Sequence, residues 1–236
     1  MAEERAQRRL AAILAADVVG YSRLMQLDEA GTLTSLKARL KEVLQPLISE
    51  YHGRIVKVMG DGVLVEFASA VNAVTCAVEL QEAMDAANRD IPDDRRIVLR
   101  IGINLGDVMV EGQDLYGDGV NIAARLEALA DAGSVFISQT VFSHVNGKAD
   151  LDFEDLGERG LKNMADPVRV FRVSEPAPRA RYRGVGVAGF VGQRQSRLLY
   201  GALMAFADGR PIGTRQGVQV ATVSTSSLHD PEGSAA

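Results

Sequence analysis

The sequence holds a single cysteine, Cys76, so no internal disulfide framework can form, which suits a reducing compartment. Cys76 falls in a helical alanine and valine pattern, where a thiol serves as a small buried hydrophobe. Long apolar runs are also missing. The longest near the start, Leu10 to Ala16, is too short to span a bilayer. It follows Arg8-Arg9 in the manner of a signal peptide, but Asp17 interrupts it before a long apolar region develops. A soluble, cytoplasmic protein is expected. There is no excess of basic charge: 26 Lys and Arg against 31 Asp and Glu leave a net charge of −5, the wrong sign for a nucleic-acid binder. No nucleic-acid partner is expected. The chain has 3 histidines: His52 precedes a turn glycine, while His144 and His229 stand apart from every motif below, so no histidine base presents itself.

What is present is enough apolar material for a full core. A chain of 236 residues with 47% hydrophobic content can build one domain and an appendage. Leu10 to Val19 reads as a buried strand, and Leu33, Leu36, Leu40, Val43, Leu44, Leu47 and Tyr51 recur at helical spacing, with Pro46 adjusting that helix. Arg54 to Val58 and Val63 to Phe67 are β-type runs divided by Met59-Gly60-Asp61-Gly62, a hairpin signal. Ala70, Ala73, Ala77, Leu80 and Met84 form the stripe of another helix, left by the loop Ile91-Pro92-Asp93-Asp94. Strands follow at Ile97 to Ile103 and Asp107 to Val110, separated by a turn at Asn104-Leu105-Gly106. A helix over Val120 to Ala130, a strand at Ser134 to Ile137, a short helix at Gln139 to His144, and strands at Asp152 to Leu156 and Val168 to Val173 complete the domain. The pattern predicts an α/β (α+β) fold with a mainly antiparallel sheet and flanking helices.

The character changes after Glu175. Residues 177–236 carry seven arginines, no lysine, three acids and nine glycines, whereas the preceding part is strongly acidic. The Ala177-Pro178 entry and the Ser224-Thr225-Ser226-Ser227 run predict a flexible, largely disordered extension over 176–236, with a transient helix at Leu198 to Phe206. Residues 1–7 form a short leading extension and 8–175 the domain. The basic tail has three possible targets, the acidic domain, an anionic lipid surface or another protein, and its composition chooses none of them.

Chemistry concentrates at a few places. Val56 to Gly62 reads Val-Lys-Val-Met-Gly-Asp-Gly, placing the carboxylate of Asp61 in a tight turn with Lys57 four residues before it. That hairpin can hold a metal and read a base. Asp17 ends the first apolar run and leads into Val18-Val19-Gly20-Tyr21-Ser22, a turn able to aim backbone N–H groups at an anion. Two such carboxylates suggest a magnesium and phosphate site. Asn121 and Arg125, four apart on a helix, project from one face.

These pieces, with Asp114-Leu-Tyr-Gly-Asp-Gly-Val-Asn-Ile-Ala-Ala-Arg125 and the closing Leu156-Gly157-Glu158-Arg159-Gly160-Leu161-Lys162 and Pro167-Val168-Arg169-Val170, closely resemble the catalytic domain of class III adenylate and guanylate cyclases, in the soluble bacterial form common in rhizobia. The resemblance covers roughly residues 8–175 and rests on three motifs in register, each weak alone. It implies a ferredoxin-like βαββαβ core. It also implies that Asp17 and Asp61, with the Val18 carbonyl, hold two Mg²⁺ or Mn²⁺ ions, and that the amides of Val19, Gly20, Tyr21 and Ser22 cradle the triphosphate of ATP. Lys57 and Asp114 would identify adenine, the ammonium donating to N1 and the carboxylate accepting from the 6-amino group. Guanylate cyclases typically carry Glu and Cys there. Asn121 would orient the ribose, Arg125 would meet the charge that builds on the α-phosphate, and Lys162 would contact the terminal phosphates.

The resemblance further implies a homodimer with two interface sites, since metal aspartates and base-reading residues of one site come from opposite subunits. Lys57 and Asp61 would then serve different ATP molecules. The implied activity is formation of 3′,5′-cyclic AMP and pyrophosphate. A guanylate cyclase would need other residues at positions 57 and 114. A catalytically silent, nucleotide-binding or dimerisation module of the same fold would normally have lost a metal aspartate or the Asn/Arg pair, and this chain keeps them all.

Overall fold

The first strand sets the frame. From Ala11 to Ala16, β1 (Gln7–Val18) is small and apolar on both sides, as a strand covered on both faces must be. Its even residues Ala12, Leu14, Ala16 and Val18 join one buried cluster and its odd residues Ala11, Ile13 and Ala15 another. A computed structural model describes residues 7–162, 164 and 166–174. The extension from 176 onward, including the helix expected at 198–206, lies outside the described residues, as do residues 1–6.

After β1 come α1 (Tyr21–Leu27), α2 (Glu29–Arg39), a π-helical turn over Leu40–Leu44 and α3 (Gln45–Glu50). The helix read around Pro46 therefore starts earlier and is built in pieces. Proline has no N–H to donate and its ring crowds the carbonyl four residues back, and the widened turn before it relieves that conflict. β2 (Arg54–Met59) and β3 (Gly62–Phe67) form the expected hairpin, in which Gly60 takes φ of 65° at the first central position, where a type II′ turn favours glycine. α4 (Ala70–Ala87) is capped by Ser69, whose side chain accepts from the Asn72 N–H, and buries Ala73, Val74, Cys76, Ala77, Leu80 and Met84.

β4 (Leu99–Glu111) is one continuous strand, not two strands around a turn. It pairs antiparallel with β1 from Val18↔Leu99 to Gln7↔Val110, so Asn104 and Gly106 lie mid-sheet. The expected turn is wrong for a physical reason: these residues form a notch. A Cβ on Gly106 would lie 3.3 Å from the Gly119 Cα, and the buried Asn104 donates from Nδ2 to the Gly119 carbonyl at 3.1 Å. Both make room for α5 (Asp118–Leu129). Between β4 and α5 lies β5 (Asp114–Tyr116), which folds back on β4 in a hairpin the sequence reading passed over. β6 (Val135–Ser138), α6 (Gln139–Val145), β7 (Asp152–Arg159) and β8 (Val168–Ser174) follow.

The sheet order is β2-β3-β1-β4-β6-β8-β7, with β5 attached to β4. Only the β4·β6 pairing is parallel. The first four strands and their helices make a βαββαβ unit in the order 2-3-1-4, the ferredoxin-like arrangement. Side chains of α1, α3, α4 and α6 pack on one face, whereas the buried residues of α5 join the clusters on the other. Among the described residues no helix is long and apolar enough to cross a membrane.

Cys76 is fully buried on α4, and burial, helped by the Glu79 charge, pushes its thiol up to about 12. A thiolate is the reactive form, so a thiol reagent such as DTNB should leave the native protein unlabelled and react on unfolding. Stoichiometric labelling of native protein within minutes would contradict this packing.

Candidate active site

The face of the sheet beneath α5 collects the charged residues. Asp17 is the next odd residue of β1 after Ala15, and it lies directly opposite Arg100 on β4. Arg100 donates from Nη2 to Asp17 Oδ2 at 2.7 Å, and its Nε stands 2.5 Å from Glu127 Oε1 on α5. Glu127 reaches Arg100 because Gly102, on the same face of β4, lets the α5 backbone approach more closely than any side chain would permit. Arg100 and Glu127 were missed in the sequence reading. The one local trace is Arg100-Ile-Gly102-Ile-Asn104, an alternation of charged, small and polar residues in an otherwise apolar strand, and it bears on Arg100 alone.

Lys57 reaches the same face through a bulge. Ile55 pairs with Val65, yet Lys57 pairs with Leu64, so Val56 is the extra residue in β2. Val65 faces the α4 side and Leu64 the α5 side, and the bulge carries Lys57 over with Leu64. There its Nζ lies 3.4 Å from Asp114 Oδ2, which also accepts from the Tyr116 hydroxyl at 3.3 Å. Both members of the pair are well exposed, so the contact itself is worth well under about 1 kcal/mol and either side chain is free to turn to a ligand. Asp118, four residues on from Asp114, stands at the start of α5 and lines another hollow with Arg8 and Asp107. Lys57, Asp114, Asp17 and Glu127 line one cleft of about 400 Å³.

Asp61 occupies the turn between β2 and β3, beside Asp17. Burial first, then the charge of Asp17, holds its carboxyl above the usual range, with its own backbone hydrogen bond and Arg100 pulling the other way. It lines a separate, mostly apolar hollow with Leu36, Leu40 and Val58. Thus Lys57 and Asp61, four residues apart, open onto different spaces. Burial also raises Glu127, to about 7, with Asp17 and Asp61 adding to the shift and Arg100 opposing it. One guanidinium serves a patch of three carboxylates, a surplus of negative charge suited to a divalent cation.

Among the described residues no three His, Cys, Asp or Glu side chains cluster in metal-binding geometry. The donor set that the resemblance implies is Asp17, Asp61 and the Val18 carbonyl at the end of β1. It fits magnesium, which takes one or two carboxylates and fills its shell with water and substrate phosphates.

The turn after β1 is only partly available. The Val19 N–H donates to the Val98 carbonyl at 2.9 Å, so that amide already has a partner in this geometry. Gly20 takes φ of 68° and begins α1, whose first-turn N–H groups at Tyr21 and Ser22 belong to the class lacking an intrahelical acceptor. Asn121 is exposed and Arg125 half-buried on α5. They sit on the face next to Val120 and Ala124, which line the Lys57 cleft, and do not line it themselves. Among the described residues neither side chain has a hydrogen-bond or ion-pair partner. Lys162 is exposed in the turn after β7, and no described contact ties it to the other site residues.

The sequence matches the adenylate and guanylate cyclase catalytic domain over residues 4–174. The chain belongs to that family. A Rhizobium meliloti (strain 1021) protein named as a candidate adenylate cyclase is 61% identical over 181 residues, which cover 77% of this chain and 31% of that protein. An adenylate cyclase of Streptomyces coelicolor is 35% identical over 135 residues, 57% of this chain and 34% of its own length. The cyclase chain thus spans about a third of the length of these relatives. Among solved structures, an adenylate/guanylate cyclase/hydrolase from Silicibacter pomeroyi superposes with a TM-score of 0.68 at 43% identity, covering 73% of this chain and all of that one. The adenylyl cyclase CyaB from P. aeruginosa superposes at 0.65 with 25% identity, covering 77% and 100%.

Proposed function

We propose that this cyclase domain converts ATP to 3′,5′-cyclic AMP and pyrophosphate, at two composite sites of a homodimer. The observation that carries the choice of ATP is the pairing of Lys57 with Asp114 at the mouth of the cleft. An ammonium there donates to the unprotonated N1 of adenine while the carboxylate accepts from the 6-amino group, and guanine reverses both preferences. The relatives named as adenylate cyclases support the same reading.

The reaction forms a bond from the ribose 3′ oxygen to the α-phosphorus and breaks the bond from that phosphorus to the bridging oxygen. Pyrophosphate leaves, and the 3′ hydroxyl proton passes to solvent. Asp17, Asp61 and the Val18 carbonyl would hold the divalent ions, which acidify the hydroxyl and neutralise the leaving group. The Tyr21 and Ser22 amides at the start of α1 meet phosphate oxygens. Asn121 hydrogen-bonds the ribose, fixing the hydroxyl in line. Arg125, a permanent cation with a fixed fork of donors, meets the charge that grows on the α-phosphate.

Purified chain incubated with ATP or GTP, with Mg²⁺ or Mn²⁺, and resolved by product chromatography, should yield cyclic AMP from ATP and little cyclic GMP. No cyclic AMP with either metal, from a protein shown to be dimeric, would refute the proposal. Replacing the base-reading pair, Lys57→Glu with Asp114→Cys, should move the preference toward GTP by at least tenfold in relative kcat/KM, about 1.4 kcal/mol of discrimination. An unchanged ATP to GTP ratio would remove these residues from base recognition.

A further inference from the structure

Arg100 is shared. Its Nη2 lies 2.7 Å from Asp17 and its Nε 2.5 Å from Glu127, so one guanidinium bridges the first strand to the helix carrying Asn121 and Arg125. Glu127 is the most enclosed of the three, its side chain 13% exposed against 24% for Asp17 and 32% for Arg100. On the proposed reading of Asp17 as a metal ligand, a divalent ion arriving there competes with a cation already in contact with the Asp17 oxygen. Arginine cannot shed its proton to escape. It must move, and a guanidinium left without a carboxylate beside an incoming dication would oppose binding.

We propose that Glu127 is a positioning residue that retains Arg100 when Asp17 turns to metal, so that the metal displaces one end of a two-ended ion pair and not the whole cation. The arrangement has the required parts: separate nitrogens of Arg100 serve the two acids, and Glu127 is anchored on a helix pressed onto β4 at Gly102. Groups that orient metal ligands contribute roughly 10- to 100-fold in affinity.

The test reads metal binding, not turnover. Mn²⁺ is titrated into the protein without nucleotide, and free Mn²⁺ is counted by electron paramagnetic resonance. Glu127→Gln removes the charge at nearly constant volume, and Glu127→Asp keeps the charge but draws it back from Arg100. Both should weaken Mn²⁺ binding about tenfold or more, with melting by circular dichroism confirming that each is folded. Wild-type affinity in Glu127→Asp would mean that only overall charge matters and would overturn the proposal, as would unchanged affinity in Glu127→Gln. An Asp17→Ala, Asp61→Ala double variant separates this from the underlying reading: if it binds Mn²⁺ like the wild type, the metal site itself is misassigned and the proposal falls with it.

Discussion

Mixed dimers of Asp61→Ala protein with Asn121→Ala protein should show about half of wild-type cyclase activity, because each mixed dimer holds one intact site of two. Either variant alone should fall by on the order of 10²–10³ or more, the cost of losing one preorganised partner of the transition state. The restored signal therefore stands far above both backgrounds. The expectation rests on how the chain distributes its groups. Lys57 and Asp114 line one cleft, and Asp61, beside Asp17, opens onto another hollow. Asn121 and Arg125 line neither and have no partner among the described residues, although a transition-state arginine needs an anion to meet.

If instead all the groups met within one chain, the mixture would be as inactive as its parts. The measurement requires subunit exchange, so the two variants should be co-expressed with different tags and purified through both. Asp61→Ala combined with Asn121→Ala on the same chain, paired with wild type, supplies the control. It places both lesions in different sites of the mixed dimer and should leave that dimer nearly inactive.

The fold was legible where the physics is local. The apolar run of β1, the Gly60-Asp61 turn and the stripe of α4 each follow from period and turn chemistry, and each stands where it was expected. The reading failed at Asn104-Leu105-Gly106, where polar and small residues serve a long-range contact. Nothing within a few residues of Gly106 reveals that Gly119 will press on it. The site shows the same division. Asp17, Asp61 and Lys57 announce themselves by position in short motifs. Arg100 and Glu127 are ordinary in sequence, and their meaning comes from a cross-strand register and a close helix approach. The β2 bulge that turns Lys57 toward Asp114 is equally invisible locally, since Val-Lys-Val alternates like any half-buried strand.

That close helix approach gives the second large effect. Gly102→Ala should destabilise the domain by about 3 kcal/mol, at the upper end of overpacking costs, and lower the melting temperature by roughly 6–12 °C. A Cβ at Gly102 would collide with the Glu127 backbone nitrogen and the Ala123 carbonyl oxygen, and would lie 2.7 Å from the Leu126 carbonyl carbon. All three are backbone atoms of α5, so no side chain can swing aside and the helix itself must lift. Lifting it moves Asn121, Arg125 and Glu127 together, and a displacement near 1 Å costs on the order of 10²-fold in rate. Stability and activity should therefore fall in the same variant. Gly160→Ala is the matching control, since a Cβ there meets nothing within 4 Å and its backbone is not in the left-handed region. It should change stability by less than about 0.5 kcal/mol. A Gly102→Ala protein that melts with the wild type and keeps its activity would mean that α5 does not rest on this glycine, and with that the contact joining Glu127 to Arg100 would lose its cause.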